Sequence, residues 1–226
     1  MSDVATYPYP LVVFDLDGTL VDSAGDIAEA LNRTLEDWQL ARVPEATVLT
    51  WIGDGVRRLV EQAFTAAGST IDLERVMPGF MVHYRECLLR SPRLFDGVGE
   101  ALVQLQDRGV PLAICTNKPS ALVQPLLDHL GIGACFALVL GGDSLPQRKP
   151  SGEPLRHIAG HFGFAPGDCL MVGDSLTDYR AALDAGMPVA LVRYGYPRGL
   201  DLEHNEAVAV VDDLRRLPGL RADTQG

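Results

Sequence analysis

Between residues 95 and 217 the chain alternates short apolar runs with helix-patterned segments, and this alternation leaves few architectures open. Runs at 110–115, 136–140, 169–172 and 188–192 have the length and apolar content of buried strands. Helical spacing separates them at 97–107, 120–130, 155–162 and through Ala181, Ala182 and Leu183, and a last short helix is expected near 211–217. Gly109, Gly131 and Gly186 stand where three of these helices must stop. Strands joined by helical crossovers pair in parallel with right-handed connections. A further apolar run, Leu11-Val12-Val13-Phe14, precedes them all and reads as another buried strand.

Residues 22–90 break the alternation. Ile27, Ala28, Ala30, Leu31 and Leu35 recur at helical spacing, with Trp38 extending their face. A second helix is expected after Gly53-Asp54-Gly55, with Val56, Leu59, Val60 and Phe64 on one side, and a third through Phe80, Val82, Tyr84, Cys87 and Leu88. A connection this long exceeds a simple crossover. The sequence therefore predicts an α/β fold: a Rossmann-like open parallel sheet, residues 1–21 and 95–226, with an inserted all-helical domain, residues 22–94. The hinges fall near 21–23 and 93–96, and residues 221–226 read as a frayed tail.

A formal net charge of −11 disfavours nucleic acid or an anionic membrane surface as partner, so an anionic substrate must be met by locally placed cations. No apolar run reaches membrane-spanning length, and the N-terminus lacks the basic start and apolar stretch of a signal peptide. Cys87, Cys115, Cys135 and Cys169 show no Cys-x-x-Cys spacing, and Cys115 and Cys169 lie in apolar runs as buried thiols would. These features fit a soluble cytoplasmic protein, monomer or homodimer.

The polar residues gather where the expected strands end. The first run delivers Asp15 and, two residues on, Asp17, before Gly18 and Thr19 turn the chain. The run at 110–115 ends in Thr116 and Asn117. The run at 169–172 ends in Gly173 and Asp174, with Ser175 and Asp178 following, and the loop before the helix at 155–162 carries Lys149. In a parallel sheet these ends share one edge, where ligands bind. Each feature also has an ordinary reading: an Asp-Gly turn, a helix N-cap at Thr116-Asn117, a solvated loop lysine, a helix start at Gly173-Asp174-Ser175. Four such coincidences at successive strand ends favour one shared site.

In this order the motifs resemble the haloacid dehalogenase superfamily of phosphohydrolases. Asp15-Leu16-Asp17-Gly18-Thr19 is similar to its first signature, Thr116-Asn117 to its second, Lys149-Pro150 to its third, and Gly173-Asp174-Ser175-x-x-Asp178 to its fourth. The inserted helical domain resembles its cap. The resemblance spans about residues 11–217. Within the superfamily, Cys115-Thr116-Asn117-Lys118-Pro119, the stretch 141–150, Met171 to Ser175, Tyr194-Gly195-Tyr196 and Gly53-x-Gly55 are most similar to the phosphoglycolate phosphatases. Two positions depart: Ser151-Gly152 follows Lys149-Pro150 where His-Pro is common, and Thr177 stands where Asn is frequent.

The resemblance implies a magnesium-dependent phosphatase acting on a small phosphorylated metabolite, with 2-phosphoglycolate giving glycolate and phosphate. It implies Asp15 as nucleophile forming an aspartyl-phosphate, Asp17 as general acid and base, and Lys149 as the balancing charge. Asp15, Asp174 and the Asp17 main-chain carbonyl would hold Mg2+, with Asp178 acting from behind them or through Ser175. Thr116, Asn117 and Lys149 would bind the phosphoryl group. In the cap, Gly53 and Arg57 are the leading candidates for choosing the leaving group, and Arg58, His83 and Arg93 are further ones. A sugar-phosphate phosphatase or phosphoglucomutase-like enzyme would keep the same core residues. A dehalogenase would need neither Asp17 nor Asp174, and a phospho-accepting signalling domain would lack the insertion.

Overall fold

The computed structural model describes residues 7–221; the readings of the first six residues and of the tail beyond 221 lie outside the described residues. The core elements are β1 (Val12–Phe14), α5 (Val98–Asp107), β4 (Leu112–Cys115), α6 (Ser120–His129), β5 (Leu138–Leu140), α7 (Glu153–His161), β6 (Leu170–Gly173), α8 (Leu176–Ala185), β7 (Val189–Val192) and β8 (Ala209–Val211). Their strands form one six-stranded sheet in the order β5-β4-β1-β6-β7-β8, every pair parallel.

β1 lies at the centre, with Phe14 opposite Ile114 on one side and Val172 on the other. Successive strand residues face opposite ways. Val12, Phe14, Ile114 and Val172 therefore pack into one apolar cluster with Leu102 of α5 and Leu126 of α6. Val13, Ala113 and Met171 pack into the other, with Ile158 of α7 and Ala181 of α8. Both faces of β1 are covered, which is why its sequence is apolar without interruption. The chain order runs outward in opposite directions from β1, so the carboxyl end of this strand sits at a topological switch point.

The insertion comprises α1 (Ala24–Asp37), α2 (Glu45–Leu49), α3 (Val56–Ala66) and α4 (Leu73–Cys87). It is entered through β2 (Val21–Asp22) and left through β3 (Arg93–Leu94), which pair antiparallel as a two-strand ribbon. Arg93 reinforces that ribbon with an ion pair to Asp22 at 2.7 Å. Ile27, Leu31 and Leu35 of α1 pack with Phe80, Tyr84 and Cys87 of α4, in the same apolar cluster as Phe14 and Leu16. No helix among the described residues is long and apolar enough to cross a membrane.

Three local expectations change. Ala209–Val211 form a strand that the sequence does not announce, because Ala209 finds Ala190 of β7 as its ladder partner, and the helix expected near 211–217 does not begin until 214. The helical part follows as a 3-10 turn, Leu214–Gly219. The insertion also holds a short helix, α2, that five residues of ordinary composition do not announce. α4 begins earlier than its apolar spacing suggests, where the Asp72 carboxylate accepts the Glu74 N–H at 3.0 Å.

Candidate active site

Asp15 follows β1 directly. Its main-chain N–H still donates to Val172 O at 2.9 Å, which fixes the residue at the sheet edge. Lys149 Nζ donates to Asp15 Oδ1 at 2.7 Å and to Asp178 Oδ1 at 2.6 Å. Asp178 is held by a capping box at the start of α8, its Oδ2 accepting from the Ser175 hydroxyl at 2.6 Å. Asp174 accepts from the Thr19 hydroxyl at 2.7 Å and from the Tyr196 N–H at 2.6 Å. Two glycines make room: a Cβ at Gly18, whose φ is +97°, would overlap the Asp174 carboxylate, and so would one at Gly195.

Asp15, Asp174 and Asp178, all buried, each offer an oxygen within 4.8 Å of the others. Burial pushes the Asp15 carboxyl up to about 7; Lys149 opposes this and Asp178 adds to it. Asp174 is raised well above the usual carboxylate range by burial, then by Asp178 and Asp15. Burial works against the Lys149 charge, but the attraction of Asp15 and Asp178 outweighs it and keeps the ammonium protonated. Three buried carboxylates around one lysine leave an excess of negative charge. Hard oxygen donors so arranged fit a divalent metal ion.

Asp17 points away from that cluster. Its carboxylate accepts from the Ser23 hydroxyl at 2.6 Å and from Lys118 Nζ at 2.9 and 3.2 Å. Lys118 Nζ also donates to the Tyr84 hydroxyl of α4 at 2.5 Å. Thr116 and Asn117 do not cap α6, whose N-cap residue is Pro119. The Thr116 hydroxyl oxygen accepts the Lys118 N–H at 3.2 Å and keeps its own proton to donate. The Asn117 amide donates to Gly53 O at 2.9 Å and to Lys149 O at 2.8 Å. Both its hydrogens are thus committed to bracing the protein. The main-chain N–H groups of Leu16, Asp17 and Asn117 have no protein acceptor among the described residues.

The insertion closes over this edge. Asp54 is gripped by the Thr177 hydroxyl at 2.7 Å and by Arg198 Nη2 at 2.5 Å. Burial opposes its charge, but those two hydrogen bonds hold Asp54 below the usual carboxylate range. Gly53 reaches the site through its carbonyl. Arg57 does not: it is exposed and pairs with Glu74 at 2.8 Å. Val56 and Leu59 line the cavity under α3, and one helical step of 100° turns Arg57 outward. Arg58 pairs with Glu61, His83 with Asp37 and Arg93 with Asp22, all away from the carboxylates.

Sequence reading missed Lys118, Tyr84 and Arg198. Lys118 stood in plain view inside the Thr116-Asn117-Lys118-Pro119 stretch. Its role depends on partners 101 and 34 positions away.

The sequence model of the haloacid dehalogenase-like hydrolases matches residues 12–192. A phosphoglycolate phosphatase of Haemophilus influenzae (strain 86-028NP) is 40% identical over 216 residues, covering 92% of this chain and 96% of its own. A plasmid phosphoglycolate phosphatase of Cupriavidus necator is 41% identical over 215 residues, covering 94% and 93%. The crystal structure of a predicted phosphoglycolate phosphatase from Haemophilus somnus 129pt superposes with a TM-score of 0.86 at 37% identity, covering 93% of this chain and 96% of that one. Sheet order, strand-end carboxylates and these matches agree, and the chain belongs to the haloacid dehalogenase-like hydrolase family.

Proposed function

We propose that this protein hydrolyses small phosphate monoesters, 2-phosphoglycolate foremost, by way of a phosphoryl group carried on Asp15. The observation that carries the reading is the Asp15 carboxylate, buried at the switch point with Lys149 at 2.7 Å and two further carboxylates beside it. Family membership and the names of the relatives at about 40% identity support the phosphatase activity and the substrate.

A phosphate dianion repels an attacking carboxylate, so its charge must be offset. Mg2+, held by Asp15, Asp174 and the Asp17 main-chain carbonyl with Asp178 adjoining, would supply a Lewis acid for the phosphoryl oxygens. Lys149, the Thr116 hydroxyl and the free N–H groups of Leu16, Asp17 and Asn117 take the remaining oxygens. An Asp15 oxygen attacks phosphorus and the bond from phosphorus to the ester oxygen breaks. Asp17 gives its proton to the departing alkoxide. It then removes a proton from the water that attacks the aspartyl-phosphate, releasing inorganic phosphate and restoring Asp15. Residues 22–94 act as the cap that excludes water during these steps. Four unpaired cysteines suit a reducing cytoplasm, and the protein acts as monomer or homodimer.

The test is phosphate release from a panel of small phosphate esters, with and without a chelator. Release that requires a divalent ion and is fastest with 2-phosphoglycolate is expected. Chelator-resistant turnover, or a preference for hexose phosphates, would refute the reading.

A further inference from the structure

One buried cation has no part in the chemistry above. Lys118 has a fully buried side chain, and among the described residues no other cation lines the cavity between α3, α4 and the sheet edge. The cavity's cap side is apolar, formed by Ile27, Ile52, Val56 and Leu59. Phosphoryl binding already has Lys149, so a second buried lysine a short step away needs its own reason. Asp17 balances the buried ammonium at 2.9 Å, yet Lys118 also lines the cavity, where a bound anion would meet it.

We infer that Lys118 and Tyr84 form a receptor for negative charge on the leaving group, so the site selects phosphate esters whose alcohol bears a carboxylate next to the ester carbon. This rests on the phosphatase reading and names the part of the pocket that reads the substrate. The placement follows from bond counting. Asp17 serves the ester oxygen, and in such a substrate two covalent bonds separate that oxygen from the carboxylate carbon. Lys118 Nζ lies 2.9 Å from the Asp17 carboxylate, within reach of a group so close to the ester oxygen.

Tyr84 supplies the second donor. Its hydroxyl accepts from Lys118, while its own proton has no acceptor among the described residues, and the residue lines the cavity. The ammonium sits at the hydroxyl end of the ring, 4.8 Å from its centroid. Tyr84 is on α4 and Lys118 follows β4, so the receptor is complete only when the inserted helices sit on the sheet edge as they do here.

The test compares kcat/KM for 2-phosphoglycolate with that for 2-hydroxyethyl phosphate, whose leaving alcohol carries no charge, in wild type, Lys118→Met and Tyr84→Phe. Wild type is expected to prefer the carboxylate ester by at least about a hundredfold. Lys118→Met should cut the preference to below about tenfold, with KM for 2-phosphoglycolate rising most, and Tyr84→Phe should cut it several-fold. If Lys118→Met does not fold, Tyr84→Phe decides, since it removes a single hydroxyl. A wild-type preference that both variants keep, with the two esters slowed equally, overturns the receptor and leaves Lys118 as a support for Asp17. No preference in wild type overturns the phosphoglycolate reading itself, and the receptor with it.

Discussion

Replacing Lys149 with methionine removes the one cation among three buried carboxylates while nearly preserving side-chain length. Lys149 lies 2.7 Å from Asp15 and 2.6 Å from Asp178, with only 2% of its side chain exposed. Breaking a buried ion pair by deleting one partner costs about 3–5 kcal/mol, because the remaining charge is left uncompensated. For a chain of this length each kcal/mol moves Tm by roughly 2–4 °C, so the variant should melt roughly 6–20 °C lower. The loss should be largest near pH 8, where Asp15, pushed up to about 7, is ionised. It should be smaller near pH 5.5, where that carboxyl takes a proton. Urea unfolding followed by circular dichroism, in chelator at both pH values, measures this directly. Excess divalent cation should restore stability to the variant more than to wild type, since the ion replaces the missing positive charge. A variant within about 1 kcal/mol of wild type at pH 8 in chelator would refute the electrostatic picture of the site.

Other expectations follow from the same geometry. In metal-free wild type the folded Asp15 keeps a proton that the unfolded chain releases, so stability should fall as pH rises from about 4 to about 7, and saturating divalent ion should flatten that slope in denaturant titrations. Asp54→Ala removes the acceptor shared by Thr177 and Arg198; charge-assisted hydrogen bonds are worth about 1.5–3 kcal/mol, so kcat/KM should drop roughly tenfold to a hundredfold. Arg57→Ala should leave KM unchanged and stability within about 0.5 kcal/mol, because its pair with Glu74 is exposed. Gly18→Ala should abolish turnover in steady-state assays, because its methyl group would displace the Asp174 carboxylate.

The core of the site was legible because a parallel sheet turns sequence order into position. Asp15, Thr116 and Asp174 follow β1, β4 and β6, neighbours in the sheet, so reading the strands placed the residues. Lys149 comes from a loop, and its approach to Asp15 was an expectation from motif order rather than from periodicity. The cap was far less readable. Arg57 stood out as a cation beside Gly55, yet helical geometry turns it to solvent. Arg198, in the loop after β7, reaches 144 positions back to Asp54, a contact that no local pattern records. Tyr84 was recognised as an apolar face residue of its helix, and it is buried as such. Its hydroxyl matters only because the fold sets Lys118 beside it. Both side-chain hydrogens of Asn117 brace Gly53 and Lys149, partners that no strand-end pattern reveals. β8 was not legible because three residues become a strand only through the partner β7 offers.

The nucleophile is where the whole mechanism meets a single atom. Isotopically labelled 2-phosphoglycolate mixed with enzyme and quenched in acid within milliseconds should leave label on the peptide containing Asp15, and none on Asp15→Asn. Label on any other residue, or wild-type turnover by Asp15→Asn, would contradict the account.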